Sequence, residues 1–318
     1  MILVPFEDTE KKRLIDAAPG FQLIFEFDVG QLHQVSAIIG NPPAKGLAEL
    51  KKLEWVQLST AGTEPYSHHS VLPAGCVLTN CSGAYGMAIS EHMIACVATL
   101  YKKLHLYRDN QNKSLWLDRG TVKRIEGALT LVVGLGDIGG QFARRMKALG
   151  GYIIGIKRTE SPKPSYVDEI YTAEELDNMI PRADIVALTL PGTAVTVNIM
   201  ARERIFAMKD GSVLLNVGRG NAVDTTALCD ALNGGKLYAA ALDVTDPEPL
   251  PSDHPLWQCE NAIITPHISG YFHLRDTYEN IADICVNNLR HYYNQMPPEN
   301  LKNLENIVDP ATGYRKSE

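Results

Sequence analysis

The chain has 318 residues, 45% hydrophobic and 21% charged, and a formal net charge of -7. The length exceeds what one hydrophobic core usually serves and predicts two domains, while the composition is that of a globular protein and excludes disorder as the default. The negative balance argues against nonspecific attraction to nucleic acid or to an anionic membrane, so neither is expected as a partner.

In chain order, Met-Ile-Leu-Val-Pro-Phe opens the sequence with no basic stretch before an apolar run, which argues against a signal peptide. Short β-branched runs predict strands at Ile2–Val4, Gln22–Phe25, Ala37–Ile39 and Val56–Leu58. Helices are expected at Thr9–Ala17 and Leu47–Leu53. His68-His69 has no second ligand cluster beside it and reads as a solvated loop, so no metal is expected. A long helix is predicted from Met87 to Tyr107; its apolar part, Met87–Leu100, contains Glu91 and His92 and is too short to span a bilayer. Glu91 and His92 are read as packing residues, and Trp116 and Arg108 are placed at a subunit interface.

A second series of strands follows at Leu129–Val133, Tyr152–Ile156, Ile185–Leu190, Val213–Val217, Ala239–Val244 and Ala262–Thr265. Helices fall between them, notably Gly140–Leu149 and Thr225–Leu232. Six such strands suit a dinucleotide-binding sheet of two mononucleotide halves. A last helix, Leu274–Asn294, is ended by Pro297-Pro298. The tail beyond is too short for a domain; its return to the N-terminal unit would make the second series an insertion, which the pattern permits without requiring. The six cysteines form no CxxC pair and read as reduced thiols of a cytoplasmic protein.

Leu129–Val133 runs into Gly134-Leu-Gly136-Asp137-Ile138-Gly139 and then a helical pattern. Gly134 permits the tight turn, Gly136 lets backbone approach a pyrophosphate, and Gly139 lets the helix pack on the strand. The helix start offers free N–H groups and the positive end of a dipole to the anion. A lone GxGxxG is weak; strand, loop, helix and next strand in order make it a dinucleotide site. The second strand of that unit ends in Lys157-Arg158-Thr159, where NAD-specific sites carry an Asp or Glu for the ribose 2′-OH. Two cations and a hydroxyl there favour the 2′-phosphate of NADP, with NAD as the alternative and Glu160 as a local counter-charge.

Three more segments follow strands of this series: Asn216-Val217-Gly218-Arg219-Gly220, Asp243 to Glu248-Pro249, and Pro266-His267-Ile-Ser-Gly270. Singly, Arg219 reads as a turn arginine, Glu248 as a loop carboxylate and His267 as a structural histidine. At successive strand ends after a nucleotide loop, they supply a guanidinium fork for a carboxylate, a proton donor, and a carboxylate that orients it.

These motifs in this order resemble the D-2-hydroxyacid dehydrogenase family over nearly the whole chain. Gln57-Leu-Ser-Thr-Ala61-Gly62 is similar to that family's substrate-carboxylate loop, and Thr79-Asn80 through Gly83 to Ser90-Glu91-His92 to its entry into the interdomain helix. The resemblance implies an α/β fold of two Rossmann-like, doubly wound parallel-sheet domains, the cofactor domain (101–289) inserted in a flavodoxin-like substrate domain (1–100 and 290–318). It implies that Arg219 binds substrate carboxylate and carbonyl, that His267 is the acid/base and that Glu248 is its partner. Ala61 and Gly62 would hold the carboxylate, Tyr85 would line a pocket of modest size, and Asp243 would meet the nicotinamide carboxamide. Leu190, Pro191, Thr196, Val217, Gly218 and Gly270 complete the expected cofactor contacts. The implied reaction is reduction of a small 2-oxo acid to a D-2-hydroxy acid by a homodimer. Competing readings are a dinucleotide-sensing, corepressor-like binding protein and a short phosphoglycerate dehydrogenase; Glu248 disfavours the formate dehydrogenase branch, which carries glutamine as the histidine's partner.

Overall fold

The computed structural model describes residues 1–67, 71–294, 301 and 303–314. His68-His69 and Pro297-Pro298 lie outside the described residues. The chain forms two compact units, residues 1–85 with 272–318, and residues 86–271.

The first unit begins with helix α1 (Asp8–Ala17) and a three-stranded parallel sheet of β1 (Ala37–Ile39), β2 (Trp55–Gln57) and β3 (Val77–Thr79). Its core gathers Ile38, Val56, Leu58, Leu78 and Val308. The strand expected at Ile2–Val4 shrinks to a bridge between Ile2 and Ile39. Gln22–Phe25 forms no strand: Ile2 N donates to Ile24 O at 2.7 Å and the ladder goes no further. The helix expected at Leu47–Leu53 is a single 3-10 turn, Leu47–Glu49, too short to propagate.

The second unit opens with α2 (Gly86–Tyr101) and α3 (Leu104–Asn112). One long helix was expected here; Lys103, at φ 56°, takes a left-handed conformation that breaks it. Then come β4 (Leu129–Val133), α4 (Asp137–Ala148), β5 (Tyr152–Lys157), β6 (Glu169–Thr172), α5 (Leu176–Met179), β7 (Ile185–Leu188), α6 (Arg202–Ala207), β8 (Ser212–Asn216), α7 (Thr225–Asn233), β9 (Leu237–Leu242) and β10 (Ala262–Ile264). The seven strands form one parallel sheet in the order β10-β9-β8-β7-β4-β5-β6. All six expected strands are present, with ends differing by a residue or two. Strand β6 escaped the sequence pattern because every residue in it is half-buried, so it carries no alternation. Arg182 and Tyr171 hydrogen-bond Glu169 on that edge and hold its carboxyl down to about 2. The order reverses between β4 and β7, the switch point where an open α/β sheet leaves a crevice at its carboxyl ends. Central strands are apolar throughout because helices cover both faces; Leu131, Val186 and Leu214 are fully buried in one core.

Helix α8 (Arg275–Asn294) returns the chain to the first unit. It packs on α1, where Arg275 pairs with Glu7 and the buried Glu10, and Arg13 pairs with Asp283. The tail then joins the sheet: Val308 N donates to Leu78 O at 2.8 Å, and Thr79 bridges Ile307 antiparallel. The divisions at 85/86 and 271/272 differ from the expected 100/101 and 289/290. Helix α2 lies along α4 and so belongs wholly to the second unit, while α8 lies along α1 and belongs to the first.

One side chain ties this return together. Asn288, fully buried on α8, donates to Gln57 Oε1 (2.7 Å) and Glu305 O (3.1 Å) and accepts from Glu305 N (2.7 Å). Asn288→Leu keeps the volume but leaves the Glu305 amide without its acceptor and removes one of the two donors to Gln57 Oε1, the other being Thr79 Oγ1. It is expected to cost about 2–3 kcal/mol in urea unfolding; a loss under about 0.5 kcal/mol would assign the tail's anchorage to the strand contacts instead.

Candidate active site

The glycine loop joins β4 to α4, and each of its three glycines has a distinct constraint. Gly134 sits at φ 99°, and a Cβ there would lie 2.9 Å from Leu190 Cδ2. A Cβ on Gly139 would lie 2.1 Å from Gly134 O, so the helix rests directly on the loop backbone. A Cβ on Gly136 would meet nothing within 4 Å, so on that side the loop is open to a ligand. Thr189 Oγ1 donates to Gly134 O at 2.5 Å and fixes the turn from β7's end. No side chain caps α4 at Gly136, so its first N–H groups remain available to an anion. This cradle fits a dinucleotide pyrophosphate.

Beside it, Leu190 and Pro191 are half-buried, and Thr196 is buried with its hydroxyl donated to Pro191 O at 2.8 Å, which closes that loop. Lys157 ends β5 half-buried, with Arg158 and Thr159 exposed after it. Thr159, Glu160 and Ser161 line an open hollow against β6 and Glu175.

The arginine loop is fastened by Asn216, a fully buried residue at the end of β8. Its Oδ1 accepts from Gly218 N (3.1 Å) and its Nδ2 donates to Arg219 O (2.8 Å). Arg219 Nη1 donates to Gly218 O at 2.7 Å. A Cβ on Gly220 would lie 1.9 Å from Thr245 C, so this loop lies directly against the segment after β9. There Glu248 Oε1 accepts from Thr245 N (3.0 Å), and Oε2 meets His267 Nδ1 at 2.9 Å. With Nδ1 facing the carboxylate, Nε2 is the nitrogen left for proton exchange.

His267 itself is a left-handed non-glycine residue, φ 53°. Asp243 holds it there. Asp243 O accepts from His267 N (2.8 Å), Oδ1 from Thr265 Oγ1 (2.6 Å) and Ile268 N (3.0 Å), and Oδ2 from Ser269 N (3.1 Å) and Ser269 Oγ. Burial opposes the charge on Asp243, but the Ser269, Thr265 and Ile268 hydrogen bonds together outweigh it and bring the carboxyl below its ordinary range. Four donors occupy its two oxygens, the capacity of a carboxylate. These bonds shape the His267–Gly270 loop.

In the first unit, taken by itself, the loop after β2 has its carbonyls tied back. Ser59 O accepts from Tyr85 OH, Thr60 O from Cys81 N, Ala61 O from Asn80 Nδ2 and Gly62 O from Thr60 Oγ1. Asn41 Oδ1 takes Ser59 N at 2.9 Å. Among the described residues, no acceptor faces the N–H groups of Ala61 and Gly62. Tyr85 is 8% exposed, its pKa raised by burial, and its hydroxyl braces this loop through Ser59 O.

Thr189, Asn41 and Thr265 carry no motif in the sequence, and Asn80 and Asn216 appear there only inside longer segments, with no role of their own. Their only signal there is position, a polar residue within or just beyond an apolar strand. Among the described residues, no group of three or more His, Cys, Asp or Glu is placed to hold a metal ion. No helix among them is long and apolar enough to cross a membrane.

Comparison with known proteins identifies the family. Residues 94–269 match the NAD binding domain of D-isomer specific 2-hydroxyacid dehydrogenases. A D-isomer specific 2-hydroxyacid dehydrogenase family protein of Aeromonas salmonicida superposes with a TM-score of 0.83 at 30% identity, covering 97% of this chain and 98% of that one. A D-isomer specific 2-hydroxyacid dehydrogenase of Xanthobacter autotrophicus, solved with NADPH and MES, gives 0.81 at 26% identity, covering 98% of both chains. The hydroxypyruvate reductase of Blautia hydrogenotrophica is 35% identical over 173 residues, 54% of this chain and 52% of that protein. The chain spans about half the length of that reductase and of the D-3-phosphoglycerate dehydrogenases it matches. With a matching domain over more than half its length and its motifs at the ends of β4, β8, β9 and β10, the chain belongs to the D-isomer specific 2-hydroxyacid dehydrogenase family, a family of oxidoreductases.

Proposed function

We propose that the protein reduces a small 2-oxo acid to its D-2-hydroxy acid, with NADPH as the preferred reductant. The observation that carries this reading is the 2.9 Å pair of His267 Nδ1 and Glu248 Oε2, on loops that follow β9 and β10, with the Arg219 loop packed against Thr245. A reduced dinucleotide with its pyrophosphate in the Gly134–Gly139 cradle would supply the hydride from its nicotinamide. Arg219 binds the substrate's carboxylate and carbonyl oxygen, a task that suits its planar fork. His267 Nε2 delivers the proton to the alkoxide that forms at C2, so hydride and proton together complete the reduction. Glu248 meets Nδ1 and so orients the imidazole with Nε2 toward the substrate. In the first unit, the Ala61 and Gly62 amides are proposed to bind a carboxylate, since their own carbonyls are already engaged.

The preference for NADPH rests on the end of β5, where Lys157 and Arg158 stand in place of a carboxylate; the relative from Xanthobacter autotrophicus was solved with NADPH. The proposed assembly is a homodimer through the segment around Trp116, whose indole is fully exposed with Leu115 and Leu117 beside it. The free cysteines suit a cytoplasmic protein.

His267→Asn is expected to lower kcat for 2-oxo acid reduction by about 10²–10⁴ while cofactor binding survives. Near-normal turnover would remove His267 from proton transfer. Glu248→Gln removes the carboxylate that meets His267 Nδ1, so kcat should fall by about tenfold with the NADPH dissociation constant unchanged; an unchanged kcat would break the pairing. For the cofactor, kcat/KM should favour NADPH over NADH by at least about tenfold. Lys157→Ala and Arg158→Ala together should narrow that ratio, and a wild-type preference for NADH would overturn the assignment.

A further inference from the structure

Behind the His267 loop, inside the same unit, runs a line of hydrogen bonds that the proposed reaction does not use. His92, in the second turn of α2, places Nε2 3.4 Å from Thr265 Oγ1 and 3.5 Å from Cys96 Sγ. Thr265 Oγ1 lies 2.6 Å from Asp243 Oδ1. Asp243 in turn takes the N–H groups of Ile268 and Ser269, the two residues after His267. These partners line a small void with Met93, Val217 and Ile263 between α2 and the ends of β8, β9 and β10.

The proton positions along this line follow from chemistry. An ionised carboxylate only accepts, so at 2.6 Å the Thr265 hydroxyl must donate to Asp243. Its single hydrogen is then committed, and only lone pairs remain for His92. A hydrogen on Nε2 of His92 completes this line by donating to Thr265 Oγ1. The opposite tautomer would offer a bare nitrogen to both the Cys96 thiol and the threonine hydroxyl, and any share of the Thr265 hydrogen drawn to His92 is taken from Asp243. Asp243 would lose a donor while still holding a left-handed histidine, a backbone state that L residues adopt rarely.

We infer that His92 is a positioning residue for His267, acting through the Thr265 hydroxyl and Asp243 to hold the loop that carries the proton donor. The inference rests on the assignment of His267 as that donor.

The test uses the full chain in four variants and two independent readouts. Thr265→Val and His92→Leu should each raise hydrogen–deuterium exchange at the Ile268 and Ser269 amides by about tenfold, since opening of that turn becomes easier. Each should lower kcat by about tenfold with the NADPH dissociation constant changed less than about twofold, the pattern of a lost reacting-state geometry. Thr265→Ser keeps the hydroxyl and His92→Gln keeps an N–H near the Nε2 position, so both should restore exchange and kcat. The double variant His92→Leu with Thr265→Val should be no worse than Thr265→Val alone, because the two act in series. The inference is overturned by unchanged exchange in Thr265→Val, by strictly additive losses, or by His92→Gln failing as His92→Leu does, which would make His92 a packing residue. If wild-type protein reduced no 2-oxo acid, the proposed function would fall, and the exchange measurements would still decide whether His92 holds the loop.

Discussion

A buried carboxylate that stays charged sets the geometry of the second unit. Asp243 leaves β9 inside the apolar sheet, and removing such a charge from water is unfavourable unless donors replace the water. The donors come from the strand next door: Thr265, Ile268 and Ser269 all follow or border β10. Satisfying Asp243 therefore folds the chain after β10 back over the end of β9. His267 lies at the apex of that fold, and its backbone N–H goes to Asp243 O. The electrostatic need of one residue thus determines where another residue's imidazole emerges.

The neighbouring loops are fixed by backbone contact more than by side chains. Gly220 against Thr245, Gly218 against Leu190 and Gly139 against Gly134 leave no space for a Cβ, so successive strand ends lock edge to edge. Such contacts are stiff, because a peptide backbone cannot rotate away as a long side chain can. Arg219, Glu248 and the glycine cradle consequently keep fixed spacings before any ligand arrives, the condition under which oriented groups are most effective.

Much of this was legible in the sequence. Gly134, Gly136 and Gly139 announce themselves by spacing, and Arg219, Glu248 and His267 by following apolar runs. The strands β4, β7, β8 and β9 were readable because burial makes them largely apolar, and the edge strand β10 because it is a short Ala-Ile-Ile run. What stayed hidden depends on contacts distant in sequence. Thr265 looks like any threonine at a strand end until Asp243 and His92 are brought to it. The bond from the Tyr85 hydroxyl to Ser59's carbonyl has no mark in the sequence. The break at Lys103 has no proline or glycine to mark it, and the short strands of the first unit are too brief for periodicity to register. The lysine and arginine after β5 were visible from the start, yet the shape of the hollow beside them depends on β6, which the pattern did not reveal.

The antiparallel bridge between Thr79 and Ile307 has a consequence for synthesis. Strand β3 leaves the ribosome with one edge unpaired, and the residues that cover it follow roughly 230 positions later. At about 5–20 residues per second, that edge waits on the order of 10–45 s. The whole second unit emerges in the interval, with the local pairings it needs to fold as one body. Vectorial synthesis thus reverses the order of appearance: the unit that begins first is completed last. During the wait its open strand edge is a surface for chaperones to shield.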